Sequence, residues 1–467
     1  MRTTFVSLIA AAVLACGQAR AQAPGEIIIG IGTQNTTTNT VATGAVIRNL
    51  GLLEKFLPTT GAYAGVRYTL DWQNFTSGPP VTNGMMAGKL QFGAMGDYPL
   101  LVNGFTFKAN KDSQSELIAV AGYSLTGAGN AILVNAKSAY FEFSDLKGKV
   151  VSVPFGSAAH GMVLSAMKDR GWAPDAIQLT NQSPEVGATN LQEQKIDGHA
   201  DFVPFGELMP FRGFARKIFD GVQTGKPTWH GVVVRTDFSR KHPAIVDAYL
   251  RAIIAANAWI REDPVRAATK IQEWTGTDKE VVYIFLGPGG LMTLDPTIKP
   301  QVLASAEANA TVLRGLDRLG AFDIGAWAND AYLRRAFAAE GLDYDAQRAR
   351  TDNYEVKGTD PFCHTAITEP RKAGEIWVEP EGIRSYSSAA CTLGALAALR
   401  AGGAKVNATY VHDTAHGVKL FADKAYYVSD KGALMPFLLR TEAEAFAKTA
   451  GSPVMGFEDA VAGARKS

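Results

Sequence analysis

The chain alternates short β-branched runs with stretches of helical spacing. "EIIIGIGTQNTT" is an apolar run ending in a Gly- and Thr-rich turn, which predicts a buried strand feeding a loop. "GAVIRNLGLLEKF" places its apolar residues at helical spacing and stops before Pro58. "RYTLDWQNF" reads as a second strand. "GPPVTNGMMAGK" starts a helix with prolines near its first turn, and "LQFGAMGDYPLLVNGF" reads as strand, Gly-Asp turn and helix. Strand and helix in alternation predict an α/β domain with a mainly parallel sheet, in which ligands sit outside the carboxyl ends of the strands.

The unit then repeats. "NAILVNAKS" is a strand, "SDLKGKVVSVPFGSAAHGMVLSAMKDRGW" gives connector, strand, turn and helix, and "EQKIDGHADFVPF" leads to another strand end. Residues 128–225 therefore read as a second α/β lobe. "HGVVVRTDF" resumes a strand and helical spacing follows through Tyr332, so residues 226–345 rejoin residues 26–127 in the first lobe. Two lobes joined by a chain that crosses twice form a hinged cleft suited to closing on a small ligand. Beyond it, residues 346–358 are polar and read as a linker. Strands at "EIWVE", "NATYVHD" and "KAYYVS", with helices at "SAACTLGALAALRAG" and "TEAEAFAKTAG", make residues 359–462 a small α+β domain.

Composition supports two or three domains: 467 residues exceed the roughly 250–300 that one core supports. Lys plus Arg number 46 against 45 Asp plus Glu, so no broad field draws in nucleic acid or an anionic membrane. The first residues, "MRTTFVSLIAAAVLACGQARAQAPGE", join a cationic start, a short apolar run and two Ala-x-Ala sites. They predict an export signal over residues 1–23 and a periplasmic destination. "VLAC" offers a competing lipoprotein reading through Cys16. If the signal is removed, only Cys363 and Cys391 remain, and an oxidising compartment permits a disulfide between them.

"GLLEKFL", "WQNFTSGPPVTNGMMAGKLQFGAMGDYPLL", "DLKGKVVSVPFGSAAH" and "EQKIDGHADFVPF", in this order and spacing, resemble the periplasmic solute-binding proteins of the alkanesulfonate, taurine and nitrate ABC importers. The likeness covers about residues 27–345. It implies a type II two-lobed α/β periplasmic-binding-protein fold, a small anionic solute, and an ABC permease of the inner membrane as partner. It also implies a ligand held by the loop after the first strand, the Gly-Asp turn and the Gly-Ser-x-x-His helix start.

The loop chemistry agrees on its own terms. Gly156 and Ser157 open a helix whose unpaired N–H groups and dipole favour an anion, although Ser157 equally reads as a plain N-cap. Gln34, Asn35, Thr36 and Thr37 are uncharged donors and acceptors in what is otherwise a solvated turn. Gly96 shapes the Gly-Asp turn. The Asp97 carboxylate would repel an anion and reads more readily as structural. Trp229 could cover an apolar part of a ligand or fill the hinge. His160, His199 and His230, with Asp97, Asp201 and Glu207 near them, allow a competing reading in which the cleft holds a metal or metal chelate.

A second resemblance covers about residues 354–462. "ATYVHDTAHGVKLFADKAYYVSDKGALMPFLLRTEAEAFAKTAGSPVMGFED" is similar to the C-terminal half of the NosL family, copper-binding accessory proteins of nitrous oxide reductase assembly. The resemblance implies copper held by Cys363 and Met435, and a copper protein as partner; Thr365 stands where the family usually has a methionine two residues after the cysteine, and His364 could replace that ligand. Thiolate and thioether are soft ligands that select Cu(I). A Cys363–Cys391 disulfide and a plain structural role stay open beside it, and His412 and His416 read as surface residues in a turn.

No Gly-x-Ser-x-Gly elbow, His-Glu-x-x-His motif or phosphate loop with Lys and Ser or Thr occurs, so an enzyme is disfavoured. The reading is a periplasmic solute-binding component of an ABC importer carrying a copper-binding domain. The alternative is a periplasmic metal carrier or metal-site assembly factor.

Overall fold

A computed structural model describes residues 25–464 except 111, 316–319 and 352–353. The expected export signal and Cys16 lie outside the described residues.

The first sheet has the order β2-β1-β3-β10-β4, built from β1 (Glu26–Thr33), β2 (Arg67–Asn74), β3 (Phe92–Gly96), β4 (Ser115–Ser124) and β10 (Thr228–Arg235). β1 runs parallel to β2 and β3, while β10 is antiparallel to β3 and β4. The second sheet has the order β7-β6-β8-β5-β9, from β5 (Ala131–Asn135), β6 (Val150–Val153), β7 (Gln178–Asn181), β8 (Gly198–Asp201) and β9 (Ala215–Asp220). Residues of β3 and β10, and of β1 from Ile29 onward, are buried almost throughout, as strands covered on both faces must be. "SELIAVAGYS" and "ARKIFD" form β4 and β9, two strands beyond those expected from the sequence.

The chain crosses between the sheets after β4 and again after β9. The two crossings touch. A Cβ on Gly221 would lie 2.0 Å from the Gly127 carbonyl oxygen, and Gly127 itself has φ +90°, so both positions require glycine.

After the helix Tyr344–Ala349, the connecting segment is tied to the body rather than loose. Tyr354 donates its hydroxyl to the Arg261 carbonyl, and Val356 is buried against Ile367 and Ala373. The third part contains a sheet of order β12-β11-β13-β14, with β11 (Gly374–Glu379), β12 (Gly382–Tyr386), β13 (Lys405–His412) and β14 (Lys419–Phe421). Its second sheet has the order β16-β15-β17, with β15 (Tyr426–Asp430), β16 (Ala433–Phe437) and β17 (Val454–Met455). A hairpin, a helix and a returning strand occur twice in succession, the helices being Ala389–Ala401 and Arg440–Ala450.

This third part is packed on both lobes. Lys419 is fully buried and pairs with Glu375, and its ammonium also donates to the Pro288 carbonyl. Tyr283, on the helix Lys279–Leu286 of the first lobe, donates to Glu375 at 2.9 Å, and Tyr410 donates to the Glu280 carbonyl at 3.0 Å. Burial pulls the Lys419 pKa down while Glu375 opposes it. Against the second lobe, Phe421 lies on Phe211 with ring centroids 5.0 Å apart, and Arg440 covers the Phe141 ring.

Removing one partner of a buried pair leaves the other charge uncompensated. Lys419→Met should therefore destabilise the protein by about 3–5 kcal/mol, and adding Glu375→Leu should recover most of the loss. Urea midpoints for the single and double variants test this, and a single variant no weaker than an exposed Lys→Met change would refute it.

Candidate functional site

The first lobe brings three segments to one end of its sheet. β1 ends in the polar run Thr33–Thr40, which turns into the 3-10 helix Thr38–Thr43. β3 ends at Gly96 and leads directly into the helix Asp97–Lys108. β10, running the opposite way, begins there with Thr228, Trp229 and His230. The second lobe supplies the start of the helix Ala158–Asp169. A Cβ on Gly96 would lie 3.4 Å from the Ala158 Cβ and 3.4 Å from His230 Nε2, and one on Gly156 would lie 3.2 Å from Pro79. The lobes are thus in contact around these loops.

His230 stands at the centre. Asn39 Nδ2 lies 3.0 Å from His230 Nδ1. With the Asn39 amide donating, Nδ1 accepts and the ring proton sits on Nε2, facing Gly96. Full burial lowers the His230 pKa to about 3, so the ring is neutral at any physiological pH. Around it, Thr37 Oγ1, Thr38 Oγ1 and Asn39 Oδ1 are buried with no hydrogen-bond partner among the described residues. Native proteins leave few buried polar atoms unpaired, so three consecutive residues with this property mark a place built to meet something else. The available donors are hydroxyls and a neutral imidazole N–H, together with the first-turn N–H groups of Ala158 and Ala159, which have no partner within their helix.

The expected residues divide. Gln34 is buried and Thr36 half-buried in the loop after β1, but the Asn35 backbone N–H donates to Asn74 Oδ1 and its side chain accepts from Thr33. Ser157 caps its helix by accepting the His160 N–H at 3.2 Å, and the Gly156 N–H donates to His160 Nδ1 at 3.1 Å. His160 also stacks on Phe155. These three residues hold the helix start in shape. Asp97 is buried and accepts from the Tyr98 N–H, Thr228 and Asn309, and burial raises its carboxyl from 3.8 to about 6.

Two expected ligand residues are corrected. Trp229 lies wholly in the first-lobe core, in one cluster with Met95, Tyr98 and Trp327, because alternation along β10 sends it to the face opposite His230. His199 lies wholly inside the second lobe, bonded to Ser152 and Asp201 beneath the helix Pro184–Gln192. The three histidines therefore share no centre, and Glu207 is occupied with Lys217. Among the described residues, the groups of three or more metal-ligating side chains lie outside the cleft. The residues that sequence reasoning left out of the binding set are Thr38, Asn39 and His230. The unbroken polar run "TQNTTTNT" after an apolar strand was the signal that could have found the first two.

In the third part, Cys363 is bonded to Cys391. The copper set expected at Cys363, His364 and Met435 is therefore not assembled while that bond stands. A disulfide sulfur is no thiolate, His364 is exposed, and Met435 packs with Phe437 and Val428 in the β15–β16 hairpin. Asp360 anchors the turn by accepting the N–H groups of Phe362, Cys363 and Ser387, which is why its carboxyl is held below the usual range although burial opposes this. A cavity of about 340 Å³ lies well away from the cleft, between the second lobe and the third part.

Comparison with known proteins agrees with this architecture. The NMT1/THI5-like family model matches residues 106–267. The chain is 31% identical to the taurine-binding periplasmic protein of Escherichia coli (strain K12) over 191 residues, 40% of this chain and 56% of that protein. It thus spans little more than half the length of this curated relative. The alkanesulfonate-binding protein SsuA from Xanthomonas axonopodis pv. citri, bound to MOPS, superposes with a TM-score of 0.53 over 66% of this chain and 98% of its own, at 21% identity. The periplasmic aliphatic sulphonate binding protein SsuA from Escherichia coli gives 0.52 over 65% and 92%, also at 21% identity. The fold is that of the two-lobed periplasmic binding proteins.

Asp97 gives a pH test. Its folded pKa lies above its unfolded one, so the stability it allows is full below about 3.8 and is lost as pH rises through about 6, a change on the order of 3 kcal/mol. Asp413 is lifted into the same range, so Asp97→Asn should make the fall in urea midpoint between pH 4 and 6 shallower without abolishing it. Parallel curves for both proteins would refute the burial argument.

Proposed function

We propose that the two-lobed part captures a small sulfonate or similar anion in the periplasm and delivers it to an inner-membrane ABC permease, without covalent chemistry. The observation that carries this reading is the set of unpaired buried groups at Thr37, Thr38 and Asn39 around neutral His230, facing a helix start of the opposite lobe. The Thr37 and Thr38 hydroxyls, the His230 Nε2–H and the helix N-terminus are donors that suit a weakly basic anion such as sulfonate, which needs many hydrogen bonds and no proton, while Asn39 Oδ1 can only accept. The taurine-binding relative and the sulfonate-binding fold neighbours point to the same substrate class. The periplasmic address rests on the N-terminal leader reading and on those relatives.

Taurine, methanesulfonate and nitrate titrated into the full chain should separate the candidates. At least one sulfonate should raise the melting temperature saturably. Thr37→Val with Thr38→Val should weaken that ligand about tenfold or more, because a buried ligand oxygen would lose its donors. Absence of any shift at millimolar concentrations of all three would sink the proposal.

The copper reading of the C-terminal part rests on the resemblance of residues 354–462. The Asp360, Cys363 and Cys391 grouping keeps it as a second proposal, restricted to the reduced protein. Cu(I) should bind only after the Cys363–Cys391 bond is reduced, and Cys363→Ala should abolish that binding. Equal Cu(I) affinity in the reduced and oxidised forms would exclude Cys363 as a ligand.

A further inference from the structure

We propose that Asp413, His416 and Glu442 form a binding site for a divalent transition-metal ion of the zinc type, on the C-terminal part beside the second lobe. One imidazole nitrogen and two carboxylate oxygens, one from each residue, lie within 4.8 Å of one another. That is close enough for one ion to draw all three to bonding distance with small side-chain movements.

The donors come from two segments already fixed to each other. "DTAHG" forms a turn in which the Gly417 N–H donates to the Asp413 carbonyl and Gly417 takes a left-handed φ of +67°. The turn is fastened to β16 by the Thr414 N–H donating to the Pro436 carbonyl at 2.8 Å. Asp413 accepts the Leu438 N–H on one oxygen at 2.7 Å and the His416 N–H on the other at 2.6 Å. Each oxygen keeps a second lone pair, and the two backbone bonds hold the carboxylate in one orientation. Glu442 projects from the first turn of the helix Arg440–Ala450.

Glu442 supplies the observation independent of the clustering. Its Oε1 meets His416 Nε2 at 3.1 Å, while its Oε2 is buried with no hydrogen-bond partner among the described residues. A buried carboxylate oxygen without a donor is costly, and a cation beside it removes that cost. Access remains, since the side chains of His416 and Glu442 are 27% and 20% exposed.

The ion takes the place of a proton. A hydrogen now bridges His416 Nε2 and Glu442 Oε1; when the metal binds, the neutral ring keeps its single proton on Nδ1 and Nε2 donates its lone pair to the ion. A nitrogen donor beside carboxylates favours zinc-like ions over Mg²⁺ and Ca²⁺, which prefer oxygen alone. The site shares no residue with the Cys363 set, so it stands or falls separately from the copper proposal and from sulfonate capture.

The test is calorimetric titration of Zn²⁺ into the full chain, against the variants His416→Ala and Glu442→Gln. The wild-type chain should bind one ion, seen as a saturable heat. Each variant should lose at least about tenfold in affinity, and a Cys363→Ser, Cys391→Ser double variant should keep it. Mg²⁺ at the same concentrations should give no heat of binding. Folding of each variant is checked by its melting temperature without metal; the isosteric Glu442→Gln keeps the test usable if His416→Ala unfolds. No saturable Zn²⁺ binding by the wild type, or binding that survives both substitutions, would overturn the proposal.

Discussion

The constraint on which the molecule depends is the contact between its two crossing segments. Gly127 and Gly221 lie so close that neither can carry a side chain, and through them the C-terminal ends of β1 and β3 face the start of the helix Ala158–Asp169. The site loops are far apart in sequence, at Thr33–Thr40, Gly96, Gly156 and His230. They meet because the chain leaves the first sheet and returns to it at one place. The antiparallel placement of β10 between β3 and β4 follows from the return, and it delivers His230 to the cleft end of the sheet.

The polar groups at that end divide into those that hold the loops and those left for a ligand. Asp97, Ser157 and His160 spend their hydrogen-bonding capacity on nearby backbone and side chains, and this fixes the loop shapes. The Thr37 and Thr38 hydroxyls and Asn39 Oδ1 do not. Neutral His230 fits this division, since burial deprives it of charge and leaves it a directional donor. The selectivity of such a site comes from the geometry of neutral donors, in keeping with a chain whose basic and acidic residues are nearly equal in number.

Much of the architecture was legible because it is written in local pattern. "EIIIGIG" and "HGVVVR" are apolar runs long enough to declare buried strands, and "GSAAHGM" carries its own cap. Within the site, sequence reasoning found the loops but mistook which residues face the cleft. Trp229 and His230 are adjacent, and a strand sends neighbours to opposite faces; which face meets the core depends on pairing with β3 and β4, which no local pattern records. His199 failed for a related reason, since a histidine at a strand end looks available until the helix above it is in place. The bond between Cys363 and Cys391, 28 residues apart, depends on folding the helix Ala389–Ala401 back against the turn at Asp360.

The third part makes unequal contacts with the two lobes. Toward the first lobe it turns the buried Lys419–Glu375 pair, which meets the Pro288 carbonyl and the Tyr283 hydroxyl there, and the Tyr410 hydroxyl, which meets the Glu280 carbonyl, groups that would need full solvation if separated. Toward the second lobe it places ring contacts at Phe211–Phe421 and Phe141–Arg440, with a cavity of about 340 Å³ between the surfaces. Aromatic and cation–π contacts of this kind contribute about 1 kcal/mol each, less than the roughly 1–3 kcal/mol cost of leaving each of those buried hydrogen-bonding groups unpaired. The third part is thus held to the first lobe by buried hydrogen bonds and to the second by ring contacts, with the cavity on the side of the second.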